Sequence, residues 1–336
     1  MSFKVTLKPT GHSFEVDDGK TVLKAGMDAG LLFPYSCRAG GCATCRGKIL
    51  EGQVDYGPII PGVLPDSERK AGYALMCVAK PLTDLVVELK ELDGISSVKA
   101  MTFPCRVASI ERTAPDVMKV RLRIPMNYNI YFLPGQYIDV LLKDGQRRSY
   151  SIAVPPHHED LTHLELHIRH SPGGVFTDHV FGSMAEGEML RFEGPFGTFF
   201  LREDSDKPIV MLAGGTGFAP IKSIVEYMLS QNIRRPIKLY WGGRARRDIY
   251  MMELARDWAR QHDHITFVPV LSNATEACEW DGRTGFVHQA VMEDLPDLSS
   301  HQVYACGTPL MVSAARKDFV ERCNLPSSEF FADSFV

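Results

Sequence analysis

The chain has 336 residues, 45% of them hydrophobic and 23% charged, with a formal net charge of -4 at pH 7. This is the balance of a soluble globular protein, too mildly acidic for a nucleic-acid partner, and no dense Lys/Arg block changes that. The length exceeds what one core usually organises, so two or three domains are expected.

The N-terminus, Met1-Ser2-Phe3-Lys4-Val5, alternates like a strand and lacks the apolar core of a secretory signal. No later apolar run reaches the ~18 residues that a spanning helix needs, so a cytoplasmic protein with no membrane span is expected. Residues 3–7 and 12–16 are short alternating stretches on either side of Pro9-Thr10-Gly11, the pattern of a β-hairpin. Thr21 reads as the N-cap of a helix over residues 22–29, stopped by Gly30.

The next stretch is Cys37-Arg38-Ala39-Gly40-Gly41-Cys42-Ala43-Thr44-Cys45, with a fourth cysteine, Cys77, after 31 further residues. C-x4-C-x2-C with a distant fourth thiol is [2Fe-2S] spacing. Such a cluster is net negative, so backbone N–H groups must approach its sulfurs unobstructed. Gly40 and Gly41 are expected to allow this through positive φ and the missing Cβ. Arg38 and Arg46 are either charge compensation or simply solvated. A disulfide framework fits poorly with three thiols on one loop. Zinc is the stronger rival, but its ligands usually come as two close pairs. Residues 47–50 and 85–89 return as strands, and the polar stretch 94–100 reads as a linker after a first domain over 1–93. The CRAGGCATC loop in this setting resembles the plant-type ferredoxins. That likeness implies a β-grasp fold with the cluster, held by Cys37, Cys42, Cys45 and Cys77, at an exposed edge.

Residues 101–203 contain six strand-like runs, at 106–110, 118–124, 137–142, 149–153, 164–168 and 190–193, separated by turns. Their even spacing predicts an antiparallel β-barrel. Within it, Arg148-Ser149-Tyr150-Ser151 places Arg148 and Tyr150 on one face of a strand and Ser149 and Ser151 on the other. Gly173-Gly174-Val175-Phe176-Thr177 precedes a short helix, whose first amides can bind a pyrophosphate. Together with Pro134-Gly135-Gln136-Tyr137, the RSYS tetrapeptide resembles the R-x-Y-S flavin motif of the ferredoxin-NADP⁺ reductase superfamily. The resemblance implies FAD rather than FMN. Arg148 would meet a flavin phosphate, Tyr150 would stack on the isoalloxazine ring, and Ser151 would hydrogen-bond near N5. Ser149 lies in the same motif, and Arg169, at the end of the preceding strand, is expected to approach the flavin pyrophosphate at Gly173 and Gly174.

Residues 204–336 change period. Ile209-Val210-Met211-Leu212-Ala213 is continuously apolar, as in a strand buried on both faces, and runs into Gly214-Gly215-Thr216-Gly217-Phe218-Ala219-Pro220. Apolar residues then recur at helical spacing. Strands at 237–241, 266–271 and 302–305 alternate with helices near 250–260, 287–293 and 310–322, the rhythm of an α/β doubly wound parallel sheet. GGTGFAP lacks the third glycine of G-x-G-x-x-G and instead resembles the nicotinamide-domain motif of the same superfamily. By that resemblance Cys306, followed by Gly307, lies beside the nicotinamide C4 and the flavin N5, and a terminal aromatic, Phe335, covers the flavin. Arg244, Arg246 and Arg247 can hold the 2′-phosphate of NADPH, and Asp248 can hold an unphosphorylated ribose. NADH is the expected cofactor because similar reductases use it.

A nicotinamide releases two electrons together and a [2Fe-2S] cluster accepts one, so the flavin must stand between them. The expected reaction is hydride transfer from NADH to FAD, with Ser151 and Cys306 shaping the geometry, then single-electron transfer through the cluster to an acceptor protein. LAGGTGFAPIKSIVE, TGFVHQAVMEDLPDLS, VYACG and the FFADSFV tail resemble the CDP-6-deoxy-delta-3,4-glucoseen reductase family, which implies a deoxyhexulose dehydratase as acceptor. The oxygenase component of an aromatic-ring oxygenase or other monooxygenase is the alternative partner. A non-catalytic redox sensor is a further reading.

Overall fold

The computed structural model describes residues 2–92, 100–156, 162–274 and 280–335. The expected linker, residue 100 apart, and Cys278 lie outside or at the margin of these residues. The chain divides into two compact units: Met1–Ser97 with Thr308–Ser313 and Ala332–Val336, and Val98–Gly307 with Ala314–Phe331. Among the described residues no helix is long and apolar enough to cross a membrane.

In the first unit, β1 (Ser2–Lys8) and β2 (Ser13–Asp17) form the expected hairpin, paired Phe3 to Val16 and Val5 to Phe14. Thr21 caps α1 (Val22–Asp28), accepting from the Lys24 amide at 3.3 Å, and the helix stops at Ala29 before Gly30 turns to φ +81°. There follow β3 (Arg46–Glu51), β4 (Val54–Asp55), α2 (Asp66–Lys70), β5 (Tyr73–Leu75), β6 (Lys80–Pro81) and β7 (Leu85–Glu88). The sheet runs β2-β1-β7-β3-β5, with β1 and β7 parallel and β4-β6 a separate pair. Val5, Leu7, Val16 and Val87 are fully buried, and α1 packs on β2, giving the β-grasp arrangement. Four of these elements, β4, α2, β5 and β6, are too short to carry a periodicity.

The second unit opens with β8 (Met101–Ala114), β9 (Val117–Arg123), β10 (Tyr137–Leu141), β11 (Arg147–Ser151), β12 (His163–Arg169), α3 (Val175–Gly182) and β13 (Met189–Phe196). All six expected strands are present, antiparallel, in the order β11-β10-β13-β8-β9-β12. The ends of this ladder close through an Ile152–Leu166 bridge and a bond of 2.8 Å from the Ala153 amide to the Glu165 carbonyl. Leu164, Leu166 and Ile168 point from β12 into the barrel core with Val120, Ile138 and Phe192.

The chain continues with β14 (Ile209–Gly214), α4 (Phe218–Ser230), β15 (Ile237–Gly243), α5 (Met252–Gln261), β16 (Ile265–Leu271), β17 (Arg283–Thr284), α6 (Val287–Asp294) and β18 (Gln302–Gly307), all in the second unit, and then α7 (Pro309–Arg322) and β19 (Phe330–Ser334). The sheet order is β17-β16-β15-β14-β18-β19, and every pair from β17 to β18 is parallel. Strand order reverses between β14 and β18, and ligands of open α/β sheets bind at the carboxyl ends of strands at such a point. A Cβ on Gly217 would collide with the Cys306 carbonyl and lie 2.9 Å from the Gly307 amide. Gly217→Ala is therefore expected to destabilise this unit by about 1–3 kcal/mol. The check is the midpoint of chemical unfolding, and an unchanged midpoint would remove this backbone approach as a constraint.

Candidate functional site

The cysteine loop bends through positive φ at Arg38 (54°), Gly40 (70°) and Ala43 (55°). The expectation of positive φ at both glycines holds for Gly40 but not for Gly41, because Arg38 and Ala43 supply the other reversals. Gly40 also has no room for a side chain: a Cβ would lie 2.6 Å from the Pro58 carbonyl oxygen. Amides converge on sulfur, from Gly41 to Cys37 Sγ at 3.3 Å, from Ala39 to the same atom at 3.5 Å, and from Cys77 to Cys45 Sγ at 3.4 Å.

The four thiols associate two and two. Cys37 donates to Cys42, which holds the Cys42 thiol down at about 5 and pushes Cys37 up. Cys45 donates to Cys77 in the same way, raising Cys45 and lowering Cys77. Each pair thus brings two sulfurs within hydrogen-bonding reach of one another. Among the described residues no group of three His, Cys, Asp or Glu is arranged to hold a single metal ion. Four sulfurs in two pairs suit a centre with two irons better than one tetrahedral zinc. Cys42, Cys45 and Cys77 are buried, Cys37 is half-buried and Ala39 is exposed, so the approach to sulfur is from the Cys37 side. Arg46 is occupied by Glu68 at 2.6 Å and stacks on Tyr73.

A feature that no local signal could disclose is the tail. Thr44 Oγ1 donates to the Ala332 carbonyl at 3.0 Å, and Ser36 Oγ donates to Asp333. Both shoulders of the cysteine loop are thereby tied to residues about 290 positions later in the chain. Phe335 is half-buried and belongs to this first unit rather than to the unit that contains the barrel.

On β11, Arg148 is half-buried and bonds to the Arg147 carbonyl at 2.9 Å and Gln146 Oε1 at 2.6 Å. Tyr150 packs against Phe176 at 5.5 Å, and burial pushes its phenol well up. Ser149 instead donates across the strand pair to the buried Asp139 at 2.6 Å, a bond within the sheet. Ser151 is 4% exposed and its hydroxyl has no hydrogen-bond partner. Such a buried hydroxyl costs free energy until something accepts or donates there, which fits a polar ring edge. Gly174 is the N-cap of α3, and Thr177 Oγ1 is taken up within the turn, donating to the Ser171 carbonyl at 2.8 Å. Gly173 turns at φ +82° and its amide bonds Asp178 at 3.1 Å, while Val175 stands 61% exposed.

Arg169 departs from its expected place. Its guanidinium faces the Gly215 turn, with Nη1 3.3 Å from where a Gly215 Cβ would be. Nη2 lies 3.6 Å from Asp248 and Nε 3.5 Å from Asp116. Alternation along β12 sends this side chain away from the barrel core and towards the nucleotide fold. Asp248 also departs from expectation: its carboxylate accepts the Arg244 and Ala245 amides at 2.8 and 3.0 Å. Through these bonds it caps the 244–248 loop. Arg244, Arg246 and Arg247 are exposed.

Residues 214–217 form one tight turn between β14 and α4, with Gly215 at φ +54°. The Trp241 indole donates to the Gly215 carbonyl at 3.0 Å, and its ring stacks on Phe218 at 3.8 Å. Thr216 is half-buried, whereas Cys306 and Gly307 are fully buried against Gly217. The turn and the Cys306 end of β18 are thus brought together at the switch point.

Three family profiles match the chain in order: a 2Fe-2S iron-sulfur cluster binding domain over residues 5–82, an oxidoreductase FAD-binding domain over 104–201 and an oxidoreductase NAD-binding domain over 211–317. The chain is 42% identical over 336 residues to the CDP-6-deoxy-L-threo-D-glycero-4-hexulose-3-dehydrase reductase of Yersinia pseudotuberculosis, covering 100% of this chain and 99% of that protein. It is 34% identical over 323 residues to the phenol 2-monooxygenase reductase component DmpP of a Pseudomonas species, covering 94% and 89%. Among solved structures, the cytochrome P450 reductase GcoB of Amycolatopsis superposes with a TM-score of 0.75 at 33% identity, covering 99% and 98%. The cysteine pairs, the barrel and the glycine turn stand in the order those profiles require, and the chain belongs to the three-module NADH-dependent [2Fe-2S] flavoprotein reductases of the ferredoxin-NADP⁺ reductase superfamily.

Proposed function

We propose that this electron-transfer reductase serves a dehydratase acting on a CDP-6-deoxyhexulose. The observation that carries the reading is the end-to-end match, at 42% identity, to a reductase named for that dehydratase. An oxygenase component is the second reading, favoured by the 34% match to a phenol monooxygenase reductase. The modules are assigned to residues 1–93, 101–203 and 204–336, joined by 94–100. A cytoplasmic setting is assigned because thiols that hold a cluster must stay reduced, as they do there.

When bound, FAD supplies the conversion of a hydride into single electrons and the [2Fe-2S] cluster supplies their outlet. Cys37, Cys42, Cys45 and Cys77 are assigned as the residues that would hold the cluster. The Gly41, Ala39 and Cys77 amides stabilise negative charge on sulfur. Arg148 is assigned to a flavin phosphate, and for that its guanidinium must leave the Gln146 and Arg147 oxygens. Tyr150 supplies a stacking face, and the unpartnered Ser151 hydroxyl fixes the ring edge. The first amides of α3, after Gly173 and Gly174 and beside Val175 and Thr177, are assigned to the flavin pyrophosphate. Residues 214–217 are assigned to the NADH pyrophosphate, with Cys306 and Gly307 closing the reacting end against water. Ser149 acts indirectly, by fixing the strand that carries Arg148 and Tyr150. Phe335 is assigned as the flavin's aromatic cover by family likeness.

Two outcomes test the site assignments. Cys77→Ser is expected to lose most cluster iron and sulfide while NADH still bleaches the flavin band anaerobically. Arg148→Ala is expected to shed FAD on gel filtration with iron content retained, and loss of both groups in either variant would contradict independent sites. The partner assignment is tested by reconstitution with purified acceptors. Turnover is expected with a CDP-6-deoxyhexulose dehydratase in the presence of NADH, whereas turnover only with an oxygenase component would select the second reading.

A further inference from the structure

Strand β12 is buried on both faces although its sequence, His163-Leu-Glu-Leu-His-Ile-Arg169, alternates apolar and polar residues. The apolar residues fill the barrel. Glu165, His167 and Arg169 share the other face, and each meets the nucleotide fold. Glu165 faces Lys222 of α4 at 3.3 Å, and Arg169 faces Asp248 and the Gly215 turn. Between them, His167 Nδ1 lies 2.7 Å from the Tyr250 hydroxyl and Nε2 lies 3.1 Å from Glu165 Oε1.

The proton positions follow from chemistry. Burial opposes charge on Glu165, but the His167 bond together with the charges of Lys222 and Arg121 more than offsets it, so the carboxyl is held below its usual range. A carboxylate only accepts, so His167 Nε2 carries the proton. Burial also keeps the imidazole below its ordinary value, hence neutral, which leaves Nδ1 as an acceptor. Tyr250, whose phenol burial raises well above its usual range, must therefore donate to it. Arg121, Glu165, His167 and Tyr250 thus form one directed chain of hydrogen bonds from barrel to nucleotide fold.

Tyr250 lies edge-on to Trp241 at 5.3 Å and to Phe218 at 6.3 Å, and Trp241 in turn holds the Gly215 carbonyl. On the barrel side, Lys222 and Ser223 bond the Ala153 and Val154 carbonyls at 2.9 and 2.7 Å, just beyond Ser151. The link therefore runs from the strand beside Ser151 to the turn that ends at Gly217, against Cys306.

We propose that His167 and Tyr250 are positioning residues for hydride transfer: their hydrogen bond holds the 214–217 turn and Cys306 at a set distance from Ser151. The inference rests on the reading of the chain as an NADH–FAD reductase. Neither residue touches a reacting atom. Their effect is on the rate at which bound NADH reacts, because small displacements of reacting groups cost rate far more than affinity.

The test uses the FAD-loaded, cluster-containing protein and three variants. Tyr250→Phe keeps the ring contacts and removes only the donor. His167→Gln preserves one donor and one acceptor, and His167→Leu preserves neither. Stopped-flow flavin bleaching at saturating NADH is expected to slow about tenfold or more in Tyr250→Phe and His167→Leu, with half-saturation within about twofold of the parent. His167→Gln is expected to return to within about threefold of the parent rate. Hydrogen–deuterium exchange of the resting enzyme, which needs no turnover, is expected to rise at residues 214–217 in Tyr250→Phe and His167→Leu but not in His167→Gln. Parent-like bleaching and exchange in Tyr250→Phe would overturn the proposal, as would a His167→Gln enzyme as slow as His167→Leu. If NADH failed to bleach the parent, the functional reading would fail, and unchanged exchange in Tyr250→Phe would overturn the positioning role separately.

Discussion

The second unit depends on a strand that has no solvent face. β12 closes the flavin barrel with Leu164, Leu166 and Ile168, while its opposite face buries Glu165 and His167 against the nucleotide fold. Glu165 and Lys222 are 3% and 6% exposed, so neither charge keeps its water. Pairs of this kind gain little over a well-packed apolar contact, yet removing one partner strands the other at a cost of about 3–5 kcal/mol. Specificity is what such a seam provides. A greasy interface tolerates sliding, whereas directed bonds at Glu165 and His167 admit a single register between barrel and nucleotide fold.

The cluster loop solves a different problem. Four thiols cannot be held close without compensation for the thiolate charge, and the loop supplies amides rather than cations. Arg46 is spent on Glu68, and it is the amides of Ala39, Gly41 and Cys77 that meet sulfur. Forming that concave surface needs backbone reversals at Arg38 and Ala43, where a side chain makes positive φ unfavourable. The bonds from Ser36 and Thr44 to the tail at Asp333 and Ala332 brace both ends of that strained segment. In the nucleotide fold the comparable strain is at Gly215, which has no Cβ to oppose it.

Much of the architecture was legible in the sequence. The C-x4-C-x2-C spacing, the six barrel strands and the strand, glycine turn and helix at residues 209–230 all appear where expected. Each is set by short-range chemistry: ligand spacing, alternation of period two, and the close approach that only glycine permits at Gly217. Two placements have a long-range cause. Arg169 and Ser149 were assigned by proximity in sequence to a motif, and each faces a partner distant in sequence or across a strand pair, whereas Asp248 bonds the amides of its own loop.

The sequence by itself determined that three modules follow one another and where their motifs lie, because those signals are local. Only the tertiary structure decided how the thiols divide into pairs, that the tail braces the cluster loop, and that the polar face of β12 is covered. Alternation reveals that a strand has two unlike faces. It cannot say whether the polar face meets water or another fold, since that depends on surfaces brought together by the whole chain.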